Sequence, residues 1–486
     1  MFPTRLEIGW LRPSAHRRTI WVPLILLALL LPAAGGPQFS SNKDTVGNET
    51  PWPPPLRGAV NGTVTLQTNE FLRVPDSVAE KLSAGKIVAF DVAKTAPRVE
   101  LACHDQLGPD AAKRRLWSSW GDLTVASDGR VYCGIGDHGD DAGGDARCFV
   151  YRWDPRTREL RQIVDMSRVV PPRAGQVAWS KIHAKIDEAS DGKIFFSCTL
   201  NASGKAGDAR YGFNDLLPGG QLYRYDPATE RVEMFANLPP RRCTATSLLD
   251  REHNIWWCNL EAGGGDALFG IHLGTKKIIY QGADNSIGFN RAFALLRNGQ
   301  IIANGTNTLL RLDPATGQLH ATQTRLADTP GLRCATRESR DGHFYGTLQG
   351  TNVLFRYTPA RDEMQLLGPT WLTGEYTTVC ELSPDERFLY YLPGSHGRAW
   401  ESGTPVIQFE LTTGRRKVLA FLAPAFEHAH DYVPAGTYGM KLSADGATLF
   451  INFNGHAPDR LRPAGMKTKG FGLTAFAALH IPASER

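Results

Sequence analysis

The segment FEHAHDYVPAGTYG places His428 and His430 two positions apart, between Glu427 and Asp431. In an extended chain, side chains at i and i+2 project to one side, and two imidazoles so placed can share a transition metal. His396 and His456 stand on loops that the repeat pattern described below sends to the same end, so the four form a candidate metal cluster, with ordinary loop histidines as the alternative. A second segment, GIGDHGDDAGGDARC, carries Asp137, Asp140, Asp141 and Asp145 among glycines. Such an oxygen-rich loop suits calcium, although it fits no EF-hand spacing and a merely solvated acidic loop is the plainer reading. A third centre is His183 in KIHAKI. There Ile182, Ala184 and Ile186 alternate with Lys181, His183 and Lys185, which sets the imidazole on the face away from the packing residues. Arg242, Arg291 and Arg333, with the Lys205, Asp208, Arg210, Tyr211, Asn214 and Asp215 of a long loop at 201–220, suit an anionic or polyhydroxylated ligand, because guanidinium forks match carboxylates.

These residues need a scaffold, and the sequence repeats one. KIHAKIDEASDGKIFFSC reads as two short strands around an Asp191-Gly192 turn, and GGQLYRYDPATERVEMF as a second pair around Asp226-Pro227. Together they form a four-stranded antiparallel unit of roughly 45 residues, the size of a propeller blade. The inner hairpin recurs at 122–136, 247–258, 292–305, 335–348, 380–392 and 440–453, so there are seven in all. The outer hairpin recurs as FVYRWDPRTREL, LLRLDPATGQL, LFRYTPARDEM and VIQFELTTGRRKV. This predicts an all-β, seven-bladed β-propeller over residues 85–486. Gly85–Leu101 reads as an outer hairpin that completes the last blade and closes the ring, since an open ring leaves two sheet edges unpaired.

In a propeller the innermost strands line the axis. Counting back eight residues from each inner turn gives Trp120, His183, Thr244, Asn290, Arg333, Thr377 and Thr437, with Arg242, Arg291, Tyr376 and Tyr438 close by. Polar side chains at six of these seven places, with apolar residues two to four positions later, predict a polar funnel on an apolar shaft.

Composition is that of an ordinary globular chain, 42% hydrophobic and 21% charged over 486 residues. A net charge of +5 spread along that length, with no basic run beyond the N-terminus, argues against a nucleic-acid partner. Met1–Gly36 has basic residues, an apolar run from Ile20 to Leu31 and then small residues: a secretory signal or an uncleaved membrane anchor. Either places the propeller outside the cytoplasm, as a monomer whose sole route to a membrane is that segment. Residues 37–84 read as a tether and lead-in. Eight cysteines permit disulfides in such a compartment, and Cys133 with Cys148, and Cys243 with Cys258, can face each other across neighbouring strands; small buried apolar residues are the alternative.

The grammar of GGQLYRYDPATERVE and KIHAKIDEASDGKIFF resembles extracytoplasmic β-propellers of the gluconolactonase-like, virginiamycin B lyase-like and polysaccharide lyase (oligogalacturonate or ulvan lyase-like) groups. The resemblance covers about residues 85–482 and rests on fold motifs. It implies a lyase in which a uronate carboxylate is neutralised by arginine or a metal while a histidine or tyrosine removes the C5 proton. Carried onto this chain, His183 is the candidate base, Tyr211 the candidate acid, and Arg242 and Arg333 the carboxylate clamp. Trp120, Asn290, Arg291, Tyr376 and Tyr438 would then contact the substrate. The chain departs from such lyases in having no second histidine on that blade's following strand. A non-catalytic propeller binding a protein or glycan, and a metal-dependent lactonase-type hydrolase, are the other readings.

Overall fold

The computed structural model describes residues 51–114, 116–137, 146–171, 178–199, 219–261, 266–326, 331–372, 376–464, 466 and 469–486. The N-terminal targeting segment, Tyr211 and most of the acidic 137–145 loop lie outside the described residues.

Seven sheets, antiparallel apart from one added edge strand, surround one axis. Blade 1 runs Thr124–Val125, Val131–Gly136, Cys148–Asp154 and Glu159–Asp165, and blade 2 runs Asp187–Glu188, Ile194–Ser197, Gln221–Asp226 and Arg231–Asn237. Blades 3, 4, 5 and 6 begin at Ser247–Asp250, Ala294–Leu295, Leu332–Ala335 and Cys380–Leu382. Blade 7 begins at Val433–Leu442. The expected seven-bladed propeller of four-stranded antiparallel blades is the fold. The inner turns of every blade but the third share one construction. In blade 2 Gly192 takes φ +77° and donates its N–H to Ala189 O, and in blade 6 Glu386 occupies the equivalent left-handed place at φ +61°.

The apolar residues do not make one core. They gather into seven clusters, each between two neighbouring blades. Tyr132, Cys148 and Val150 of blade 1 meet Ile182, Ile194 and Phe196 of blade 2, and the last cluster joins Phe450 and Phe476 of blade 7 to Leu123, Val131 and Trp153 of blade 1. Because strand side chains alternate, the buried ones face the neighbouring sheet, and the ring is held together wedge by wedge.

Closure is carried by the N-terminal region, by a different route from the hairpin read in the sequence. Arg98–Cys103 pairs antiparallel with Ala475–His480 of blade 7, and Thr63–Gln67 adds a fifth strand outside it. Asp91–Val92 instead lies parallel to Arg416–Phe421 of blade 6. Gly85–Leu101 is therefore not a hairpin. Two adjacent blades offer free outer edges, and a segment stretched across both covers more unpaired backbone than one folded on itself. The sheets thus begin at Thr63, inside the stretch read as lead-in.

One further expectation changes, and the choice between cysteine alternatives falls to free thiols, seven of the eight buried. Leu422–His430 is an α-helix rather than an extended segment, burying Leu422, Ala423, Ala425 and Phe426. Cys133 faces His104 Nε2 at 3.6 Å, while the Cys148 thiol lies 3.8 Å from that of Cys198 across the gap between blades 1 and 2; all eight cysteines are free thiols. Among the described residues no helix is long and apolar enough to cross a membrane.

Candidate functional site

Seven inner strands begin at comparable places, but their leading residues do two different jobs. Thr244, Asn290, Thr377 and Thr437 are at most 1% exposed and are consumed by the framework. Asn290 Nδ2 donates to Gly288 O at 2.7 Å and Asn304 O at 3.2 Å, and its Oδ1 accepts from Asn304 N at 2.8 Å. The Thr244 hydroxyl donates to Thr246 O, and that of Thr437 to Gly439 O, both at 2.8 Å. Asn290, expected to bind substrate, is a strut. Short inner strands begin with irregular approach segments, whose backbone groups need side-chain partners once water is excluded.

Trp120, His183 and Arg333 do reach the axis. With Arg291, Tyr438 and others they line an axial cavity of about 50 Å³. His183 Nδ1 lies 2.8 Å from Ala245 O. A carbonyl only accepts, so Nδ1 carries the proton and Nε2 keeps its lone pair. Burial first, then the charges of Lys181 and Arg291, hold the imidazole well below the usual histidine range, and it is neutral at pH 7. The segment carrying it comes so close to Gly121 that a Cβ there would sit 2.4 Å from Ala184 O. Glycine at 121 is a condition for the position of His183.

Arg333 is 6% exposed. Its Nε donates to the Tyr376 hydroxyl at 2.6 Å, and its guanidinium carbon lies 4.9 Å from the Tyr376 ring and 5.4 Å from that of Tyr438. Among the described residues no carboxylate pairs with it, and its two Nη groups make no hydrogen bond. A buried guanidinium without a counter-ion is costly unless something anionic or watery meets it. The Tyr438 hydroxyl is buried without a hydrogen-bond partner among the described residues, and burial pushes its phenol upward. His396, assigned from sequence to the metal cluster, stands here instead, 4.5 Å from the Tyr376 ring and 6.2 Å from Trp120. Burial, then Arg333, lowers its pKa. Trp120 is stacked between His183 at 6.4 Å and Phe471 at 5.6 Å.

The shaft below is charged, not apolar. Lys441 Nζ sits 2.8 Å from Asp122 Oδ2 and 2.7 Å from Glu381 Oε1, with Lys185 Nζ 3.6 Å from Asp122. Burial opposes the Lys441 ammonium, but Asp122 and Glu381 more than offset it and hold its pKa above the usual lysine range. The signal for this floor was legible: Asp122 and Lys185 are two residues beyond Trp120 and His183, on the same face by strand alternation. The apolar residues counted earlier point between blades.

Other expected members fall elsewhere. Arg242 forms an ion pair with Asp284 and is not among the cavity residues, whereas Arg291 lines the cavity and pairs with Glu261. His428 and His430 share a helix, where residues two apart point to different sides. His428 is exposed beside Glu70, at 3.4 Å, and His430 lies against Phe426. His456 Nδ1 accepts from Gly470 N at 3.0 Å, and burial, then Arg462, lowers its pKa to about 4. Among the described residues no three His, Cys, Asp or Glu side chains gather to hold a metal. The cluster expected at 396, 428, 430 and 456 is not assembled, because the turn of helix at 422–430 separates what an extended chain would have aligned. Asp137 accepts from Arg147 N at 3.0 Å and pairs with Arg114; the rest of the expected calcium loop is outside the described residues.

No family model matches this sequence, and no curated protein matches it. Among solved structures it is similar to the extracellular domain of a protein described as a hybrid two component system from B. thetaiotaomicron, at 10% identity and TM-score 0.44, covering 74% of this chain and 39% of that one. The chain therefore spans about two fifths of that relative. It is also similar to the WD40 repeats of RRP9, at 9% identity and TM-score 0.48 over 81% of this chain and 100% of that one. An oligogalacturonate lyase in complex with manganese is similar at 11% identity and TM-score 0.46, over 82% of this chain and 96% of that one. These likenesses concern the fold alone.

Proposed function

We propose that the axial site binds the carboxylate of a sugar acid or acidic polysaccharide and carries out β-elimination on it. The observation that carries this reading is Arg333, buried without a carboxylate partner among the described residues and lining the same cavity as a neutral His183. Arg333 Nη groups would take the substrate carboxylate and stabilise the charge that grows on it as the neighbouring C–H is broken. His183 Nε2 would accept that proton, with Ala245 O holding the ring in its tautomer. The Tyr438 hydroxyl, held protonated by burial and lacking a partner, would donate to the departing oxygen. Tyr438 thereby takes the role that the sequence gave to Tyr211. The reading needs no metal. Its place of action outside the cytoplasm rests on the N-terminal sequence and is tested by N-terminal sequencing of the exported chain.

Incubation with uronate polymers, read by the ultraviolet band of an unsaturated uronate product, tests the chemistry. Turnover that disappears in His183→Ala supports it; no product from any uronate polymer, or full activity in that variant, refutes it. One observation favours a second reading, a non-catalytic propeller that holds an acidic glycan. The axial cavity of about 50 Å³ is small and open to solvent, so it suits the carboxylate end of a ligand whose remainder stays at the mouth. Binding of uronates without turnover would select that reading.

A further inference from the structure

Two thiols meet across the seam between blades 1 and 2. Cys148 opens the third strand of blade 1, where it stands opposite Gly136, and Cys198 directly follows Ile194–Ser197, the second strand of blade 2. Their sulfurs are 3.8 Å apart, and both residues are fully buried. They belong to one apolar cluster, with Ile182 among its members. The segment that delivers His183 touches both neighbourhoods. Lys181 pairs with Thr199, the residue after Cys198, and a Cβ on Gly136, the partner of Cys148, would sit 2.8 Å from Lys181 Cα. A sulfur–sulfur bond is about 2.0 Å long, so rotation of the two side chains has to close about 1.8 Å.

We propose that Cys148 and Cys198 are a disulfide site: in an oxidising compartment they join, tying blade 1 to blade 2 beside the segment that carries His183. The oxidant is a small-molecule disulfide. The thiolate of one cysteine attacks a sulfur of that disulfide and releases one thiol. The thiolate of the other then attacks the mixed disulfide at the protein's own sulfur and releases the second. Two electrons pass from the cysteine pair to the oxidant, and the two cysteine protons go through solvent to the released thiols. The exchange belongs to moments when the two blades part. Burial first, then Cys198, holds the Cys148 thiol well above the usual cysteine range, and a buried thiol is a poor nucleophile. Once formed, the bond spans 50 residues of chain and removes conformations from the unfolded state, which favours the fold. It asks nothing of the chemistry at the axis. In a reducing compartment the same pair stays as two thiols, so its state also reports where the chain folds.

Cys334 and Cys380 are a second pair of buried thiols on neighbouring blades, 5 and 6, so the experiment has to read the pairing itself. Full-length protein is equilibrated with oxidised glutathione in denaturant just below its unfolding midpoint, where blades open and reclose. It is then alkylated and digested with trypsin. Peptides 148–152 and 194–205 should be found joined, and should separate on reduction. Back in native buffer, the oxidised protein should melt about 2–5 °C above the dithiothreitol-treated protein, the scale of one such loop closed in a chain of this size. Cys198→Ala, which removes one sulfur, should show no such gain, and the peptide map of the wild-type chain decides the pairing even if that variant fails to fold. Recovery of the two peptides apart, each alkylated or glutathionylated, would overturn the site. So would either peptide joined mainly to another cysteine, or a joined protein that melts no higher than the reduced one. A gain in melting temperature that persists in Cys198→Ala would assign the staple to another pair and overturn it here.

Discussion

The approaches to blades 1, 2 and 5 differ from those to blades 3, 4, 6 and 7, although the strands they lead into are equivalent. In the second group the leading residue is held by the framework: Thr244 by the Asn259 side chain, Asn290 by the backbone of Asn304, Thr377 by the Thr370 hydroxyl of blade 5, and Thr437 by the backbone carbonyl of Asn452. In the first group each leading residue has one such partner, Ser118 Oγ for Trp120, Ala245 O for His183 and the Tyr376 hydroxyl for Arg333, and still lines the cavity. Gly121 and Gly136 let the segment at 180–184 press in, with a Cβ at 136 meeting Ser180 O at 1.9 Å, and His183 is pushed to the axis. A polar residue at the start of an inner strand is a strut where a partner from the sheet can meet it. At His183 the close approach of its segment over Gly121 and Gly136 accompanies a side chain that faces the channel. The difference teaches that polarity at these positions is not itself a mark of a binding site.

If this division is right, the two groups should fail in different ways. The largest effect is expected at His183. His183→Ala should lower turnover on a uronate substrate by about 10²–10⁴-fold, the worth of a positioned base, with the melting temperature nearly unchanged. A variant that melts early and keeps its activity would make His183 another strut. Asn290→Ala should do the reverse. It leaves buried backbone groups unmet and should cost about 2–3 kcal/mol of stability, measured by denaturant unfolding, while galacturonate affinity of the folded protein stays put.

A smaller effect separates the groups by pH. His104, fully buried against Tyr151, is lowered to about 3 and His456 to about 4, in both cases by burial first. His183 is lowered as well. Each is neutral in the fold and takes up a proton on unfolding below the ordinary histidine value of about 6.5, so the unfolded state binds more protons there. Stability should be full above about pH 6.5 and decline as the pH falls toward about 4. Turnover should hold its plateau below 6.5, because His183 remains an unprotonated base. A rate that falls in step with an unperturbed histidine would contradict the environment drawn for His183. The smallest effect is expected at the outer helix. His428→Ala, at an exposed side chain 3.4 Å from Glu70, should leave turnover, stability and response to added zinc or manganese unchanged within error, since such pairs are worth little. A loss of metal response in that variant would restore a metal role there.

Local sequence was enough for the blades. Asp-Gly turns, alternating strands and a fixed period each act over a few residues, and all seven inner hairpins stand where those patterns put them. The helix at 422–430 was also legible, since Leu422, Ala425 and Phe426 follow a helical rather than a strand period, although two histidines at i and i+2 also fit an extended segment. His183 was placed on the correct face by alternation alone. What alternation could not decide was which polar residues face solvent and which face a partner, because the partners of Asn290, Thr437 and Arg333 come from other strands or other blades. Nor could it show that Arg242 meets Asp284 while Arg333 meets no carboxylate among the described residues, or that His396 of blade 6 joins Trp120 of blade 1. Those contacts span up to hundreds of residues, and only closing the ring brings them to one axis.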